Sequence, residues 1–198
     1  MIIIAVCLAY LLGSLPWSVW LGRLIKGVDL REHGSGNAGA TNAFRVLGVP
    51  IGIFVLLLDM AKGYAAVSLV YIQDVIQPVN EIWTILRIGL GLLAILGHVF
   101  PVFAGFKGGK GVAAMAGVGL ALHPFSALAA LGVYLLVFLF GRVSSLGSLV
   151  AVITYPLWMI FVFQSEFYSL WVFSIVVPIL VILTHRSNIK RLLGGTEA

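Results

Sequence analysis

The first residues that could do chemistry are nine small or polar ones, Gly-Ser-Gly-Asn-Ala-Gly-Ala-Thr-Asn at positions 34–42, with Arg31 before them and Arg45 after them. Glycine has no Cβ to block close approach, and successive backbone N–H groups in such a loop can converge on an anion. A plain turn between two helices is the alternative. It accounts for the glycines and asparagines better than for the serine, the threonine and the flanking arginines. We therefore predict an oxyanion or phosphate cradle here.

A second polar cluster, Lys-Gly-Gly-Lys-Gly at residues 107–111, stands directly before a predicted helix. A helix N-terminus offers free N–H groups and a partial positive charge, to which lysines add full charge. The cluster is not a Walker A loop, because Ala104 stands where that motif needs its first glycine and Gly111 where it needs serine or threonine. Lysines alone would fit a charged cytoplasmic loop; lysines interleaved with glycines favour phosphate binding.

A third polar cluster follows the last apolar run, where His185 and Asn188 are spaced three residues apart among basic residues. On a continuous helix this spacing places both side chains on one face, where an imidazole and an amide could meet one ligand. A basic stop at the lipid headgroups is the simpler alternative, and charge alone would satisfy it. Ser145 follows another apolar run.

The elements that must position these clusters are strongly apolar. Hydrophobic residues make up 61% of the 198 residues and charged residues 10%, with a mean hydropathy of +1.12, whereas soluble domains are about 25% charged. Backbone groups in lipid must be satisfied within each segment, so these segments should be helices. We predict an all-α, polytopic integral membrane protein with seven transmembrane helices in a single domain, residues 1–198. The apolar runs are 2–22, 49–72, 83–104, 111–122, 125–140, 146–163 and 168–184, the fourth being short enough for a half-length or tilted span.

The charges between the runs predict the orientation of the chain. Under seven spans, ten of the twelve Lys and Arg residues fall on one side, and the opposite connectors carry only acidic charges, Asp74, Glu81 and Glu166. The positive side is cytoplasmic, so the N-terminus should lie outside and the C-terminus in the cytoplasm. All the polar clusters then share the cytoplasmic face.

Charges within the runs suggest internal partners. Asp59 and Lys62 are three residues apart in the second run and should form an ion pair inside the bundle, because unpaired intramembrane charges are costly. Arg87 and Glu81 are expected to pair at the outer interface. His98 is expected to be a structural packing residue, with support of a residue that touches substrate as the alternative. Pro16, Pro101, Pro156 and Pro178 should mark kinks or ends.

Several chemistries are excluded or unsupported. None of the four histidines is followed five positions later by an aspartate, so the His-x-x-x-x-Asp acyltransferase motif is absent. The Gly-x-Gly-x-x-Gly at residues 34–39 lacks the βαβ setting of a dinucleotide site. Cys and His residues are not clustered at metal spacing. We therefore expect no cofactor, no metal and no nucleic-acid partner.

Three runs, residues 35–42, 97–112 and 185–194, resemble in type and order the signature loops of the bacterial acyl-phosphate:glycerol-3-phosphate acyltransferases of the PlsY type. The resemblance covers the whole chain. It implies a multi-pass enzyme of the bacterial inner membrane with a cytoplasmic active site. Such an enzyme transfers a fatty acyl group from acyl-phosphate to the sn-1 hydroxyl of glycerol-3-phosphate, giving lysophosphatidic acid and phosphate for phospholipid biosynthesis. A soluble enzyme that makes acyl-phosphate is a possible partner.

The resemblance also implies roles for the polar residues. The expected catalytic residues are Ser35, Lys107 and His185. Acyl-phosphate would meet Ser35, Gly36, Asn37, Thr41, Asn42, Lys107, Gly108, Gly109 and Lys110, and glycerol-3-phosphate would meet Arg45, Lys107, Ser145, His185 and Asn188.

Two questions stay open at this point. The hydroxyl proton could go to the leaving phosphate, since a mixed anhydride is already activated and needs little beyond positioning, or to His185 as general base. Two other functions are also conceivable. A small anion carrier would need polar residues along a transmembrane path, where only Asp59, Lys62 and Arg87 qualify, and a structural scaffold would leave the polar loops unexplained.

Overall fold

The computed structural model describes residues 1–72 and 80–197, and every regular element in those two ranges is helical. Asp74 lies outside the described residues. The α-helices of the described ranges are α1 (Ile2–Gly13), α2 (Trp17–Lys26), α3 (Ala40–Leu47), α4 (Val49–Ser68), α5 (Glu81–Val99), α6 (Val112–Leu122), α7 (Pro124–Gly141), α8 (Ser144–Leu157), α9 (Tyr168–Thr184) and α10 (Arg186–Leu193). Short 3-10 turns occupy Leu30–Glu32, Leu69–Ile72 and Val102–Ala104, and a π-helical turn occupies Trp158–Val162.

Proline positions account for two of the predicted breaks. The first apolar run is divided at Pro16 into α1 and α2, which meet at an angle of 42°, and α5 ends just before Pro101. Pro156 lies inside α8, and two residues later the chain adopts the π-helical turn. Pro178, in contrast, lies within α9, which continues through it to Thr184. Pro178 therefore does not end a helix, and a kink at this position stays a prediction.

Four segments of the described chain are long and apolar enough to cross a membrane, namely Val49–Ile72, Glu81–Ala104, Pro124–Gly141 and Ser144–Val162. The bent pairs α1–α2 and α9–α10 raise the number to six if each counts as one span. The short helix α6 has only 11 residues, about 16 Å at ~1.5 Å per residue, which is roughly half a hydrocarbon core.

Small residues allow α6 to pack directly on α4. A Cβ at Gly63 would lie 2.2 Å from the Ala114 carbonyl oxygen, and one at Gly117 would lie 1.9 Å from the Met60 carbonyl oxygen. The two backbones therefore touch, as small residues permit in membrane bundles. The largest apolar core continues from α6 into α8 and α9, around Val118, Met159 and Val181. This packing sets α6 deep in the bundle, with its N-terminus beneath the polar loops.

The predicted internal ion pair is confirmed. Lys62 Nζ lies 2.9 Å from Asp59 Oδ1, and both side chains are almost fully buried. His98 Nδ1 lies 3.6 Å from the same carboxylate oxygen, so His98 packs against the pair as a buried side chain. Lys62 also donates a hydrogen bond of 2.8 Å to the Leu15 carbonyl oxygen, next to the break at Pro16.

The expected pair of Glu81 with Arg87 is wrong. The Glu81 carboxylate instead accepts a hydrogen bond from the backbone N–H of Ser169, at the start of α9. Arg87 donates to the Ala121 carbonyl oxygen at the end of α6, and its guanidinium lies 4.7 Å from the centre of the Trp83 ring. Both charges therefore tie α5 to neighbouring helices. Backbone N–H and C=O groups at helix ends lack partners within their own helix and can bind charged side chains. A prediction that considers only the charges of side chains does not include these groups.

Candidate active site

One cavity of about 460 Å³ brings the polar clusters together. Its polar end, called the mouth here, is lined by side chains from the 34–45 segment, the start of α6, the start of α8 and the α9–α10 junction. Its apolar end, called the body, extends between α4, α6, α7, α8 and α9. Mouth residues include Ser35, Asn37, Thr41, Asn42, Arg45, Lys110, Ser144, Ser145, His185, Asn188, Arg191 and Glu197, and body residues include Leu57, Met60, Ala116, Leu131, Val152 and Val177.

The first turns of four helices, α3, α6, α8 and α10, line the mouth. The residues that cap α3, α6 and α8 are Gly39, Gly111 and Val143, which have no polar side chain to cap the first N–H groups. Gly111 takes the left-handed conformation, with φ +85°, which glycine adopts at little cost. Each helix start contributes a partial positive charge. The mouth is therefore a site for anions even before its side-chain cations are counted.

Asn42 organises the 34–42 loop. Its side chain is 1% exposed and its Nδ2 donates to the carbonyl oxygens of Leu30, His33 and Asn37, at 2.8, 3.0 and 3.1 Å. Its Oδ1 accepts from the Ser35 N–H at 2.8 Å. The amide is thereby engaged on both of its polar atoms. It holds the loop in shape and leaves Ser35 at the mouth.

Hydroxyl groups join α3, α7 and α8 at the mouth. Thr41 Oγ1 lies 3.1 Å from Ser144 Oγ, which is also 3.1 Å from the Tyr134 hydroxyl. Nearby, Asn37 Nδ2 lies 3.3 Å from the Ser35 carbonyl oxygen. Among the three linked hydroxyls, sequence reasoning assigned a substrate contact only to Thr41.

A carboxylate that sequence reasoning missed also lines the mouth. Glu197 Oε1 accepts hydrogen bonds from Ser145 Oγ at 2.7 Å and from Asn188 Nδ2 at 2.5 Å. Its Oε2 pairs with Arg191 Nε at 2.5 Å. Lys110 Nζ donates to the Asn188 Oδ1, so one amide links the lysine to the glutamate. Glu197 lies outside the three signature runs, and no motif or residue spacing in the sequence pointed to it.

Burial perturbs two charged groups of this cluster. The pKa of the Lys110 ammonium is lowered to about 8, because burial and the nearby Arg191 and Arg45 together outweigh the Glu197 carboxylate, which raises it. Burial raises the pKa of the Glu197 carboxyl, but hydrogen bonds from Arg191, Ser145 and Asn188 outweigh it and hold the value at about 2. Glu197 is thus charged at neutral pH, and Lys110 titrates in the range where enzymes are assayed.

His185 is 2% exposed and lines the mouth. Its Nδ1 lies 2.9 Å from the Val181 carbonyl oxygen. A carbonyl can only accept, so Nδ1 carries the proton and Nε2 is the unprotonated nitrogen of the neutral ring. His185 and Asn188 both reach the same cavity, although the chain bends by 69° between α9 and α10 instead of continuing as the single helix that the spacing argument assumed.

The two lysines of the second cluster are separated by the folding of their loop. The N–H groups of Gly108 and Gly109 donate to the carbonyl oxygens of Val99 and His98, each at 3.2 Å. A Cβ at Gly109 would lie 2.5 Å from His98 Nε2, so only glycine permits this close approach. The loop therefore lies flat on the end of α5, and Lys110 enters the first cavity.

Lys107 faces a second cavity of about 340 Å³, which is lined by Asp29, Arg31, Glu32, Gly36, Lys107 and Gly108. Arg31 binds both carboxylate oxygens of Asp29, at 2.9 and 2.6 Å, and donates to the Ala104 carbonyl oxygen at 2.7 Å. These hydrogen bonds hold the pKa of the Asp29 carboxyl well below its usual range. Arg31 thus ties the turn at residues 29–31 to the 97–112 run.

The structure brings most of the predicted site residues into one place. Ser35, Asn37, Thr41, Asn42, Arg45, Lys110, Ser145, His185 and Asn188 line the first cavity, whereas Gly36, Lys107 and Gly108 line the second and Gly109 packs on His98. The residues that sequence reasoning missed are Tyr134, Ser144, Arg191 and Glu197.

The fold and the cavity define a class of protein. An anion-binding mouth continuous with an apolar body suits a molecule with a charged head and a hydrocarbon tail, and the helical segments around it are apolar enough to lie in lipid. This arrangement is that of an integral membrane protein that acts on an amphiphile.

Comparison with known proteins gives the family. The model of the glycerol-3-phosphate acyltransferase family matches residues 3–195. The glycerol-3-phosphate acyltransferases of Chlorobaculum tepidum and Chlorobium phaeobacteroides are 44% and 42% identical, covering 97% and 99% of this chain and 93% and 95% of those relatives. The chain belongs to the glycerol-3-phosphate acyltransferase family, and it is an integral membrane enzyme of the PlsY type.

Two solved structures resemble the chain over its whole length. They are crystal structures of PlsY (YgiH), an integral membrane glycerol 3-phosphate acyltransferase. The glycerol 3-phosphate form is 40% identical with a TM-score of 0.88, and the lysophosphatidic acid form is 39% identical with a TM-score of 0.86. Each comparison covers 100% of this chain and 94% of the solved chain.

Proposed function

We propose that this enzyme transfers a fatty acyl group from acyl-phosphate to the sn-1 hydroxyl of glycerol-3-phosphate, giving lysophosphatidic acid and inorganic phosphate. The observation that carries the proposal is the single cavity in which four helix N-termini and Lys110 lead into an apolar body. The mouth suits two phosphate groups, and the body suits one acyl chain. The lysophosphatidic acid and glycerol 3-phosphate forms of the solved PlsY support the same product and acceptor.

In the proposed step the sn-1 oxygen attacks the acyl carbonyl carbon, a new C–O ester bond forms and the bond from that carbon to the phosphate oxygen breaks. The phosphate leaves with the electron pair of the broken bond, and it accepts the hydroxyl proton. No residue needs to be acylated. Catalysis then rests on positioning and on stabilising the charge that develops on the carbonyl oxygen and on the leaving phosphate.

Acyl-phosphate is assigned to the side of the mouth formed by the α3 and α6 starts. There, Ser35, Asn37 and Thr41 present polar groups, Lys110 supplies the cation, and free N–H groups at the helix starts meet the oxyanion. Asn42 acts through the loop that it holds rather than on the substrate. The contact of Lys107 with either substrate stays a prediction, since Lys107 faces the second cavity.

Glycerol-3-phosphate is assigned to the adjoining part of the mouth, among Arg45, Ser145, His185 and Asn188. Arginine can bind phosphate through two parallel hydrogen bonds, which fixes the orientation of the substrate. Glu197 keeps the Ser145 and Asn188 side chains in fixed positions. The neutral Nε2 of His185 is free of the hydrogen bond that Nδ1 makes, so it can accept one from a glycerol hydroxyl.

The finer topology is also part of the proposal. With α6 as a half-length seventh crossing and the basic connectors inside, the N-terminus lies outside, and the C-terminus and the mouth face the cytoplasm. The single domain, residues 1–198, then lies in the bacterial inner membrane. A soluble enzyme that makes acyl-phosphate would deliver the donor from the same side.

The deciding experiment uses purified enzyme in lipid nanodiscs with palmitoyl-phosphate or palmitoyl-CoA as donor. We expect phosphate release from palmitoyl-phosphate only when glycerol-3-phosphate is present, with lysophosphatidic acid formed in equal amount. If palmitoyl-CoA supports acyl transfer to glycerol-3-phosphate and palmitoyl-phosphate does not, the donor assignment is wrong. Transport of glycerol-3-phosphate into sealed vesicles without any acyl transfer would favour the carrier alternative.

The proton acceptor is tested with His185→Gln. We expect kcat to fall by less than about tenfold with an unchanged shape of the pH profile, because a protein base is worth roughly 10²–10⁴-fold. A loss in that larger range, together with removal of an acidic limb from the pH profile, would identify the imidazole as the base.

A further inference from the structure

Four residues line the body of the cavity away from the mouth, and together they are called the floor here. Gly119 on α6, Ala127 on α7, Tyr155 on α8 and Phe173 on α9 all line the cavity. The Tyr155 and Phe173 rings meet edge to face, with centroids 6.5 Å apart. A Cβ built at Gly119 would lie 3.3 Å from Ala127 Cβ and 3.5 Å from the Tyr155 hydroxyl oxygen. Each of four consecutive helices therefore contributes one residue to this part of the lining.

The distance from mouth to floor follows from helix geometry. Ser145 and Tyr155 are ten residues apart on α8, which corresponds to about 15 Å at ~1.5 Å per residue. Gly111 and Gly119, eight residues apart along α6, give about 12 Å by the same rise. Both helices place the floor at a similar depth below the polar groups of the mouth.

The tip of the Tyr155 ring sets the floor. Tyr155 is 6% exposed, and within the described residues its hydroxyl has no hydrogen-bond partner. A buried hydroxyl without a partner costs free energy, so its presence is not explained by stability. Its hydroxyl lies against Gly119, which has no side chain to displace it, and this position gives it a steric role in the lining.

We propose that Gly119 and Tyr155 act as a ruler that determines which acyl-chain length the enzyme prefers. The inference rests on the proposed function, because it takes the acyl chain of the donor as the occupant of the body. The ω end of the chain meets the Tyr155 ring tip, and the width left by Gly119 decides how far it can advance. Packed pockets discriminate single methylene groups by about tenfold or more.

The test compares kcat/KM for lauroyl-, myristoyl-, palmitoyl- and stearoyl-phosphate in wild type and two floor variants. Gly119→Ala adds a methyl group at the floor, so we expect the preference to shift toward shorter chains, with the stearoyl-to-lauroyl ratio falling about tenfold. Tyr155→Phe removes the hydroxyl at the ring tip, and the ratio should rise by a smaller factor. Tyr155→Phe leaves no buried polar group unpaired and is expected to fold.

Gly132→Ala on α7 is the matched control. A Cβ at Gly132 has no neighbouring atom within 4 Å and the residue does not line the cavity. It should reproduce the wild-type length profile, which separates the floor from a general effect of replacing glycine in a membrane helix.

The outcomes separate the ruler from the proposed function. A wild type that uses none of the four acyl-phosphates overturns the proposed donor, and the ruler is then measured with acyl-CoA donors of the same lengths. If the donor is used but Tyr155→Phe and Gly119→Ala keep the wild-type profile, or lose activity equally for all lengths, the ruler is wrong. In that case the chain leaves the body sideways, past Leu57 and Leu135, which line it and are about half exposed.

Discussion

Lys107 and Lys110 are equivalent in the sequence but not in the molecule. Both are lysines of one five-residue loop, each followed by glycine. Lys110 is half-buried, donates to Asn188 and lies in the cavity that holds most of the predicted site. Lys107 is exposed and faces the second cavity, where Arg31 and Asp29 are already paired. The same side chain therefore meets two different electrostatic environments three residues apart.

The difference shows what makes a lysine functional in such a loop. Desolvation lowers the pKa of Lys110 to about 8, and the same desolvation strengthens its attraction for a bound phosphate. An exposed lysine is screened by water and ions, so it adds mainly to the general field around the site. Glycines 108 and 109 create this contrast, because they let the loop lie on the end of α5.

The largest effect is expected for Lys110→Ala. Removing the only lysine of the mouth among the described lining residues takes away charge stabilisation at the leaving phosphate. Loss of one such donor typically costs about 10²–10³-fold in rate. Steady-state kinetics on the folded variant should show this loss in kcat. A loss below tenfold would mean that the helix N-termini carry the stabilisation alone.

The pH dependence should sharpen the same contrast. A lysine with a pKa of about 8 is protonated below that pH, so kcat/KM should be constant there and fall as pH rises through about 8. Lys110→Arg keeps its charge at every pH used, since arginine titrates above about 12. Its profile should therefore lose the alkaline limb. If Lys107→Arg removes that limb instead, the assignment of the two lysines is reversed.

A smaller effect is expected for Glu197→Gln. The neutral amide keeps the shape but loses the charged partner of Arg191, Ser145 and Asn188. We expect KM for glycerol-3-phosphate to rise about tenfold, equivalent to ~1.4 kcal/mol, with a modest change in kcat. Glu166→Gln, in a connector on the opposite side of the predicted topology, is the control. Unchanged KM in Glu197→Gln would leave the carboxylate without a role in positioning.

The smallest effect is expected for Lys107→Ala. If Lys107 contributes only to the field, KM for both anionic substrates should rise a few-fold at low salt, and the difference from wild type should shrink at high salt. A loss comparable to that of Lys110→Ala, insensitive to salt, would show that Lys107 contacts substrate, as its sequence pattern predicts.

Much of this architecture was predictable because lipid restricts the options. Apolar runs in lipid must be helices, because their backbone groups have no other hydrogen-bond partners. Asp59 and Lys62 were expected to form an ion pair, because unpaired charges inside a membrane are costly, and they do form one. The charge-based topology predicted that the 34–45, 107–111, 145 and 185–188 segments share one face, and residues of all four line one cavity, although only Lys110 and Gly111 of the second segment do so. The positions of these polar loops could be predicted because small and polar residues cluster in them along the sequence.

The parts that sequence reasoning missed depend on long-range packing. Lys107 and Lys110 line different cavities, and Ser145 donates a hydrogen bond to Glu197. Neither arrangement produces a periodic pattern in the sequence. The Glu81–Arg87 pair was expected from charge alone, but nearby backbone groups, the Ser169 N–H and the Ala121 carbonyl, offered those side chains better partners. Sequence patterns indicate which face of a helix is apolar and on which side of the membrane a loop lies. They do not indicate which hydrogen-bond partner a charged side chain finds, because that depends on which groups lie nearby in the folded protein.

The hydrogen bond from Lys62 to the Leu15 carbonyl has a consequence for biogenesis. Pro16 interrupts the first run, and a carbonyl left without a partner in hydrocarbon is costly. The compensating donor is on α4, which the ribosome makes more than forty residues later. The bent pair α1–α2 therefore cannot complete its final hydrogen bonding before α4 has entered the bilayer.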